Sequence, residues 1–185
     1  MLDGEDKVVS DAVRGKASAF GRLYDHYQPA IYRFVFIKVG QREEAEDLTH
    51  RVFLNAWQNI SSYRDLGFPF SSWLYHIARN QIIDHYRTNR PAVPLDEVSP
   101  DLLTTPEDSV VQIEVRLELD RVRLAIRMLK PDHQDVIIMR FVEELSIKEV
   151  AVAIGKSEGA VKLIQHRALR ELRRRLTPHD NHGSH

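Results

Sequence analysis

Residues 145–162 read LSIKEVAVAIGKSEGAVK, and this stretch decides how the C-terminal part of the chain folds. Ser146 is followed three residues later by Glu149, and this spacing forms a capping box that marks the start of a helix. Gly155 supplies the left-handed turn that ends this helix, and Ser157 caps the next one. The pattern predicts two helices that meet across a turn of three to four residues, which is a helix-turn-helix arrangement.

The two predicted helices have apolar inner faces and a polar outer face. The inner faces consist of Ile147, Val150, Ala151 and Ile154 against Val161, Ile164, Ala168 and Leu172. The second helix points mixed polar side chains outward in its first turns and arginines in its later turns. Such a helix suits a major groove, with bases read by the first turns and phosphates held by the arginines. Arginines near a helix end also offset its dipole, but the preceding turn signature favours DNA binding.

Upstream, apolar residues recur at spacings of three and four rather than two, which predicts helices. The first half contains three such stretches, at Phe20–Lys38, Glu43–Trp57 and Phe70–Arg87, and their predicted inner faces include Tyr24, Trp57 and Ile83. A further helix ends near Lys130, with an inner face at Val111, Val115, Leu119, Val122, Ile126 and Leu129. No strand pattern competes, so the predicted fold class is all-α.

The segment between the two halves differs from both in composition. Residues 91–106 contain four prolines, which disfavour helix, and we assign residues 91–107 as a flexible linker between two small domains. Residues 91–120 carry eight acidic groups and one basic group, whereas residues 146–185 carry four acidic and eight basic groups. The net charge of −1 therefore conceals a basic end that suits a polyanionic partner.

Several classes of protein are disfavoured by composition. The 185 residues include no cysteine, which excludes disulfides, thiolate metal sites and cysteine nucleophiles and permits a reducing cytoplasm. No apolar run is long enough for a membrane span, and the acidic N-terminus does not fit a signal peptide. We find no convincing catalytic constellation, cofactor loop or metal-ligand spacing, so we expect no enzyme, no cofactor and no metal.

The order and spacing of several motifs resemble those of the extracytoplasmic-function (ECF) group of bacterial sigma factors. The matching stretches are LYDHY at 23–27, AEDLTHRVFLNAW at 45–57, FSSWLYHIARNQIIDHYR at 70–87, GAVK at 159–162 and HRA at 166–168. The resemblance implies sigma region two at residues 12–90, sigma region four at 108–177 and a disordered tail at 178–185. It implies a factor that binds core RNA polymerase and directs promoter-specific initiation.

The resemblance also implies partners and residue roles. Region two would dock on the beta-prime clamp helices through Glu46, Asp47, His50, Arg51 and Asn55. For the minus-ten element, the candidate residues are Tyr63, Arg64, Phe68, His76, Arg79, Asn80 and Arg87, because melted DNA needs surfaces on which bases stack and cations that follow the strand. For the minus-thirty-five element they are Ser157, Glu158, Ala160, Lys162, Leu163, His166, Arg167 and Arg170.

The resemblance adds the beta flap of polymerase and an anti-sigma factor as further partners, and a cytoplasmic location. The acidic linker would either mimic nucleic acid near the RNA exit path or serve as a solvated tether. The alternative function is a helix-turn-helix transcription regulator of the response-regulator or one-component type. Such a regulator needs a ligand pocket or a phosphoacceptor Asp at a strand end, and the predicted all-helical first half offers neither.

Overall fold

The computed structural model describes residues 2–65, 67–88 and 110–177, with the side chains of 110–114 outside that description. The described residues form helices joined by short turns, and no strand occurs among them, which confirms the predicted all-α class. The predicted linker at 91–107 and tail at 178–185 lie outside the described residues. The helices are α1 Glu5–Val13, α2 Ala17–Val39, α3 Arg42–Asn59, α4 Phe70–Thr88, α5 Val110–Arg127, α6 Pro131–Ile137, α7 Ile147–Ile154 and α8 Glu158–Leu176.

The first half consists of α1 to α4 packed around one apolar core. The core is built from residues at helical spacing, because each helix places one face inward. Its largest fully buried side chains include Leu23, Ile31, Phe34, Leu48 and Phe70. Helix α1 was not predicted from the sequence, although Val8, Val9 and Ala12 are buried against this core. Its nine residues give too short an apolar pattern to identify a helix from periodicity.

A buried carboxylate ties α1 to the start of α4. The Glu5 Oε2 atom accepts hydrogen bonds from the Tyr27 hydroxyl at 2.6 Å and from the Leu2 backbone N–H at 3.1 Å. Its Oε1 atom accepts from the Phe70 backbone N–H at 3.3 Å. Because the first N–H groups of a helix have no partner within the helix, Glu5 satisfies a donor that α4 would otherwise leave unpaired.

The second half consists of α5 to α8. Helix α6 continues into a π-helical turn, Ile138–Val142, which buries Ile138 and Met139. The chain then passes through Glu144 with φ of 57°, a left-handed conformation that is uncommon for residues other than glycine. The turn places the side chain of Glu143 against the first half, where it accepts hydrogen bonds from Arg33.

Five residues that were predicted to face inward are exposed instead, and one of them is Tyr24 of α2. The others are Trp57, Ile83, Val115 and Leu119, so these predictions were wrong. Ile83 follows the buried Ile82, and successive residues of a helix point about 100° apart, so one of the two turns outward. Trp57 lies at the end of α3 and contacts Phe20 across 4.9 Å between ring centroids. Of the α5 side chains from 115 to 127, which the structure describes, only Ala125 and Ile126 near the C-terminal end are buried.

The two halves pack against each other, principally α4 against α7 and α2 against α5 and the π-helical turn. Lys38 contacts Asp135, Arg127 donates to the Val39 carbonyl at 3.1 Å, and Lys148 lies 5.1 Å from the Phe68 ring centroid. The two small helical domains predicted from the sequence are thus both present, and in this structure they contact each other.

Candidate nucleic-acid interface

The predicted helix-turn-helix forms at α7 and α8. The Ser146 hydroxyl accepts from the Glu149 N–H at 3.2 Å, and the Glu149 carboxylate accepts from the Ser146 N–H at 2.6 Å, so the predicted capping box is confirmed. Gly155 ends α7 with φ of 66°, and the Ser157 hydroxyl accepts from the Ala160 N–H at 3.2 Å. Short-range hydrogen bonds therefore set the turn between the two helices.

The outer face of α8 carries most of the residues predicted for the minus-thirty-five element. Val161 and Ala168 are buried beneath this helix, and Ala160 is half-buried. The exposed residues are Ser157, Glu158, Lys162, Leu163, His166, Arg167 and Arg170. Within the described part of the chain, Lys162, Arg167 and Arg170 form no ion pair, so their charges are available to an outside anion. Ser157 also caps α8, which occupies its hydroxyl oxygen.

The residues predicted to contact polymerase share one face of α3. Ala45, Leu48, Thr49, Val52 and Phe53 are buried on the opposite face. Glu46, Asp47, His50 and Arg51 are exposed, and Asn55 is half-buried. Asp47 pairs with Arg51 at 2.8 Å, and Glu46 pairs with Arg42 at 2.9 Å, so this face is polar but locally neutralised.

The same face of α3 continues into apolar residues that the sequence analysis missed as candidates. Leu54 is exposed about one turn beyond Arg51, and Trp57 is exposed nearly two turns beyond it. Tyr24 of α2 is also exposed and contacts Phe53. An exposed apolar cluster bordered by polar residues is typical of a protein contact surface. Trp57 was missed because its helical spacing matched the core; no sequence signal distinguishes the two environments.

The loop before α4 brings its aromatic residues together in a cluster. The Tyr63 ring lies edge-on to Phe70 and Trp73, with centroids 5.4 and 5.3 Å apart. Burial, with the nearby charge of Asp65, raises the pKa of Tyr63 to about 12. Arg64 is exposed and donates to the carbonyls of Ser61 and Tyr63. In this arrangement the face of Tyr63 is partly covered by its neighbours.

Three of the residues predicted for the minus-ten element contact the second half. The His76 Nδ1 atom lies 3.1 Å from the Ala153 carbonyl oxygen, so that nitrogen must carry a proton to donate to it. Arg79 forms ion pairs of 2.9 Å with Asp135 and 2.8 Å with Asp132. The third is Phe68, under the Lys148 ammonium group.

The remaining two minus-ten candidates lie further along α4 and are exposed. Asn80 contacts His76 through its amide nitrogen at 3.1 Å, and Arg87 pairs with Asp84 at 3.0 Å. The structure therefore aligns His76, Asn80 and Arg87 along one helix, while Tyr63 and Arg64 lie on the preceding loop.

Carboxylates of the second half dominate the electrostatics of this contact. Although burial favours the protonated form of Asp132, hydrogen bonds from Arg79 and Lys156 outweigh it and lower the pKa of the carboxyl. The hydrogen bonds to Glu143 raise the pKa of Arg33, and burial together with the Glu143 charge raises that of Tyr75. Asp135 and Glu143 were not singled out from the sequence, because their partners lie 56 to 110 residues away.

Two family models match the chain, one in each half. Residues 23–91 match Sigma-70 region 2, and residues 125–174 match Sigma-70, region 4. The chain belongs to the sigma-70 family.

Two known relatives show which group of the family the chain resembles. It is 39% identical over 181 residues to the ECF RNA polymerase sigma factor BldN of Streptomyces coelicolor, covering 94% of this chain and 66% of BldN. It is 32% identical to the ECF RNA polymerase sigma factor SigW of Bacillus subtilis, covering 92% of this chain and 95% of SigW.

This sigma factor also shares its fold with a solved structure, that of CnrH in complex with the cytosolic domain of CnrY. The TM-score is 0.71 at 24% identity, over 92% of this chain and 95% of CnrH. The predicted resemblance to ECF sigma factors is confirmed, and the family matches favour a sigma factor over a helix-turn-helix regulator. Sigma factors are not a family of enzymes.

Among the described residues, no group of three or more His, Asp and Glu side chains could hold a metal ion. None of the helices described here has the length and hydropathy that crossing a bilayer requires.

Proposed function

We propose that this sigma factor binds core RNA polymerase through the exposed face of α3 and contacts two promoter elements, one with α8 and one with α4 and its preceding loop. The observation that supports the proposal best is that exposed lysine and arginine side chains line the outer face of α8. This helix follows α7 across a tight turn, and both helices are capped by a serine. We further propose that the protein has no catalytic role of its own and acts in the cytoplasm, where polymerase transcribes the chromosome.

Contact with the minus-thirty-five element divides along α8. The N-terminal turns, with Glu158, Lys162 and Leu163, would face base edges, because the first residues of a recognition helix lie deepest in the major groove. Arg167 and Arg170 lie further along, where they would hold phosphates. Leu163 is exposed, which supports an apolar contact with a thymine methyl group.

Contact with the minus-ten element would use the loop and α4. Tyr63, Phe68 and Arg64 would receive unstacked bases, while Arg79, Asn80 and Arg87 would follow the strand. Stacking of a base on an aromatic or guanidinium plane contributes about 1 to 3 kcal/mol. His76 would join them once its contact with Ala153 is broken.

Contact with core polymerase would combine polar and apolar residues of α3. Glu46, Asp47, His50, Arg51 and Asn55 supply polar groups, and the adjacent Leu54 and Trp57 supply apolar area. We also propose an anti-sigma factor as a partner of this chain, since CnrH was solved in complex with the cytosolic domain of CnrY. The beta flap would be a second polymerase contact, made by the second half.

The decisive experiment is reconstitution of this protein with core RNA polymerase on a genomic DNA library, followed by sequencing of the RNA 5′ ends. We expect transcripts that depend on the protein and share upstream motifs at two fixed distances. The Arg167→Ala/Arg170→Ala variant should lose most of these transcripts. The matched control, Arg14→Ala/Arg22→Ala, removes two exposed arginines of the first half and should retain them. Transcription that is independent of the protein would refute the proposal.

A further inference from the structure

The last helix of the chain ends in a run of arginines followed by a threonine. Residues 173–177 read RRRLT, so Thr177 has arginines both two and three positions before it. No other serine or threonine of the sequence has basic residues at both of these positions. Protein kinases select substrates partly by the charge pattern around the acceptor hydroxyl. A kinase with an acidic substrate groove would therefore distinguish Thr177 from the other hydroxyls of this chain.

The structure leaves Thr177 accessible to an enzyme. Its side chain is exposed, and its backbone is extended, with φ of −71° and ψ of 122°, directly after the end of α8. The hydroxyl donates a hydrogen bond to the Arg173 carbonyl at 2.8 Å, within the last turn of the helix. Because helix ends fray readily, this segment can enter an extended substrate groove at little cost in free energy.

The groove beside Thr177 contains three arginines. It has a volume of about 630 Å³, lies between α5 and the end of α8, and is lined by Arg121, Arg174, Arg175 and Thr177 among others. The Arg121 Nη2 atom donates to the Leu176 carbonyl at 3.1 Å, which holds the guanidinium next to Thr177. The exposed hydroxyl thus lies at the edge of a cationic groove.

Nearby carboxylates compensate these arginines only in part. Glu171 pairs with Arg175 at 2.8 Å, and Glu118 lies 3.6 Å from Arg121. Arg174 is exposed and forms no ion pair with any residue that the structure describes. A phosphate monoester carries about 1.5 to 2 negative charges at pH 7, and guanidinium groups bind its oxygens through paired hydrogen bonds. The groove is therefore electrostatically suited to a phosphate on the neighbouring threonine.

We propose that Thr177 is a phosphorylation site and that Arg121 and Arg174 hold the phosphate in the groove between α5 and α8. In the reaction, the Thr177 hydroxyl oxygen attacks the γ-phosphorus of ATP held by a serine/threonine kinase. The bond from that phosphorus to the bridging oxygen breaks, ADP leaves, and the hydroxyl proton passes to a base of the kinase. The resulting dianion has no proton to donate to the Arg173 carbonyl, and the negative end of the helix repels it, so it turns towards the arginines.

Phosphorylation of Thr177 weakens DNA binding by α8, and this consequence rests on the proposed function. Arg167 and Arg170 are the arginines proposed to hold DNA phosphates, and Arg174 lies about one turn beyond Arg170. The new phosphate adds negative charge at this end of the helix and occupies Arg174. We expect the affinity of polymerase-bound protein for promoter DNA to fall at least about fivefold at low salt, and less at high salt, because salt screens exposed charges.

Phosphorus NMR of the full chain with phosphothreonine installed at position 177 tests the arginine groove. The second pKa of a phosphate monoester is ordinarily about 6, and guanidinium groups nearby favour the dianion. We expect this pKa to lie below about 5 at position 177 and to rise again by most of the difference in Arg121→Ala/Arg174→Ala. Arg14→Ala/Arg22→Ala removes two exposed arginines of the first half and should keep the lowered value. An unshifted phosphate pKa, or an equal change in both arginine variants, would overturn the proposal.

A kinase assay tests whether an enzyme selects this hydroxyl, with Thr88 as the matched control. Thr88 is also exposed at a helix end and donates to the carbonyl four residues before it, but no arginine lies two or three positions before it. With ATP and a purified serine/threonine kinase that selects arginines at those two positions, mass spectrometry should locate phosphate on Thr177 and none on Thr88. Arg174→Ala/Arg175→Ala should lower the initial rate at least about tenfold. Equal phosphorylation of both threonines, or none at Thr177, would contradict the assignment.

Both measurements use the free chain and need neither polymerase nor DNA. A lowered phosphate pKa together with selective phosphorylation supports the site even if reconstituted transcription fails, in which case the proposed function is wrong and the site remains. If the protein directs transcription but binds promoter DNA equally with and without the phosphate, the proposed function stands and the proposed regulation is wrong.

Discussion

The guanidinium of Arg127 lies directly over Gly40, so that a β-carbon at Gly40 would overlap it. Gly40 ends α2 with φ of 81°, and Arg127 of the second half donates to the neighbouring Val39 carbonyl at 3.1 Å. Glycine at this position thus serves two purposes: it allows the left-handed helix end, and it admits a side chain of the other half.

Gly40→Ala is therefore expected to cost backbone strain and also the hydrogen bond from Arg127 to the Val39 carbonyl, because the guanidinium at the end of this flexible side chain must move away from a β-carbon. The matched control is Gly15→Ala, where φ is 87° but no atom would contact the new β-carbon. The left-handed conformation alone costs about 1 to 2 kcal/mol for a residue with a β-carbon. Urea unfolding should show that decrease in the Gly15 variant and a larger one in the Gly40 variant.

The excess cost at Gly40 should depend on Arg127. In the double variant Gly40→Ala/Arg127→Ala, the overlap is absent, so the free energies of the two single variants should not add. If the unfolding free energies of the two single variants add in the double variant, Arg127 contributes nothing to the cost of Gly40→Ala.

The second prediction concerns Glu5, which accepts hydrogen bonds from Tyr27 and from the first turn of α4. Glu5→Ala leaves the Tyr27 hydroxyl and the Phe70 N–H unpaired in a buried place, and we expect the unfolding free energy to fall by about 1 to 3 kcal/mol. Asp6→Ala is the control, since Asp6 lies in the same helical turn but is exposed. Its effect should stay below about 1 kcal/mol, the value of a charge near a helix end.

Local patterns made the helices and turn predictable, whereas the contact between the halves was not. Ser146, Glu149 and Gly155 act on backbone groups within a few residues, so their spacing is visible in the sequence. The Lys38–Asp135 pair joins residues 97 positions apart, and such a pair leaves no periodic trace. The prediction that Val115 faces inward was wrong for a related reason. Helical spacing identifies an apolar face of a helix, but it does not show whether another helix covers that face.

The same reasoning applies to the predicted sites. The outer faces of α3 and α8 follow from periodicity alone, so the exposed residues there could be named in advance. The ion pairs of Arg79 with Asp132 and Asp135 depend on how the two halves pack. A short stretch of sequence carries no information about that packing.

The third prediction concerns alkaline pH. Burial and nearby carboxylates raise the pKa of Tyr63 to about 12, above its ordinary value of 10.0. Neutral Tyr63 is thus favoured in the folded protein, and the resulting stability is fully present below pH 10 and is lost as pH rises towards about 12. Ultraviolet titration of tyrosinate should contain a component near pH 12 that Tyr63→Phe removes. If Tyr63→Phe instead removes a component near the ordinary tyrosine pKa of 10.0, this assignment is wrong.

The fourth prediction tests the apolar part of α3. Leu54 is 49% exposed, so Leu54→Ala should change the unfolding free energy by less than about 0.5 kcal/mol. If polymerase covers Leu54, truncation should weaken binding of core enzyme about tenfold, since burial of such a side chain is worth about 1.5 to 3 kcal/mol. Ile83→Ala on α4, 43% exposed, is the control and should leave core binding unchanged. Equal affinity of all three proteins would remove Leu54 from the contact.

The fifth prediction concerns the salt dependence of DNA binding by α8. Each phosphate that a side chain neutralises releases about one counterion, so removing one such cation changes the slope of log affinity against log salt concentration by about 0.9. Arg167→Ala/Arg170→Ala should therefore reduce the slope for polymerase-bound protein by about 2 and weaken binding similarly for different sequences. Lys162→Ala, nearer the proposed base-reading end, should instead alter the preferred sequence. A slope unchanged in the arginine variant would show that these side chains remain in solvent when the promoter is bound.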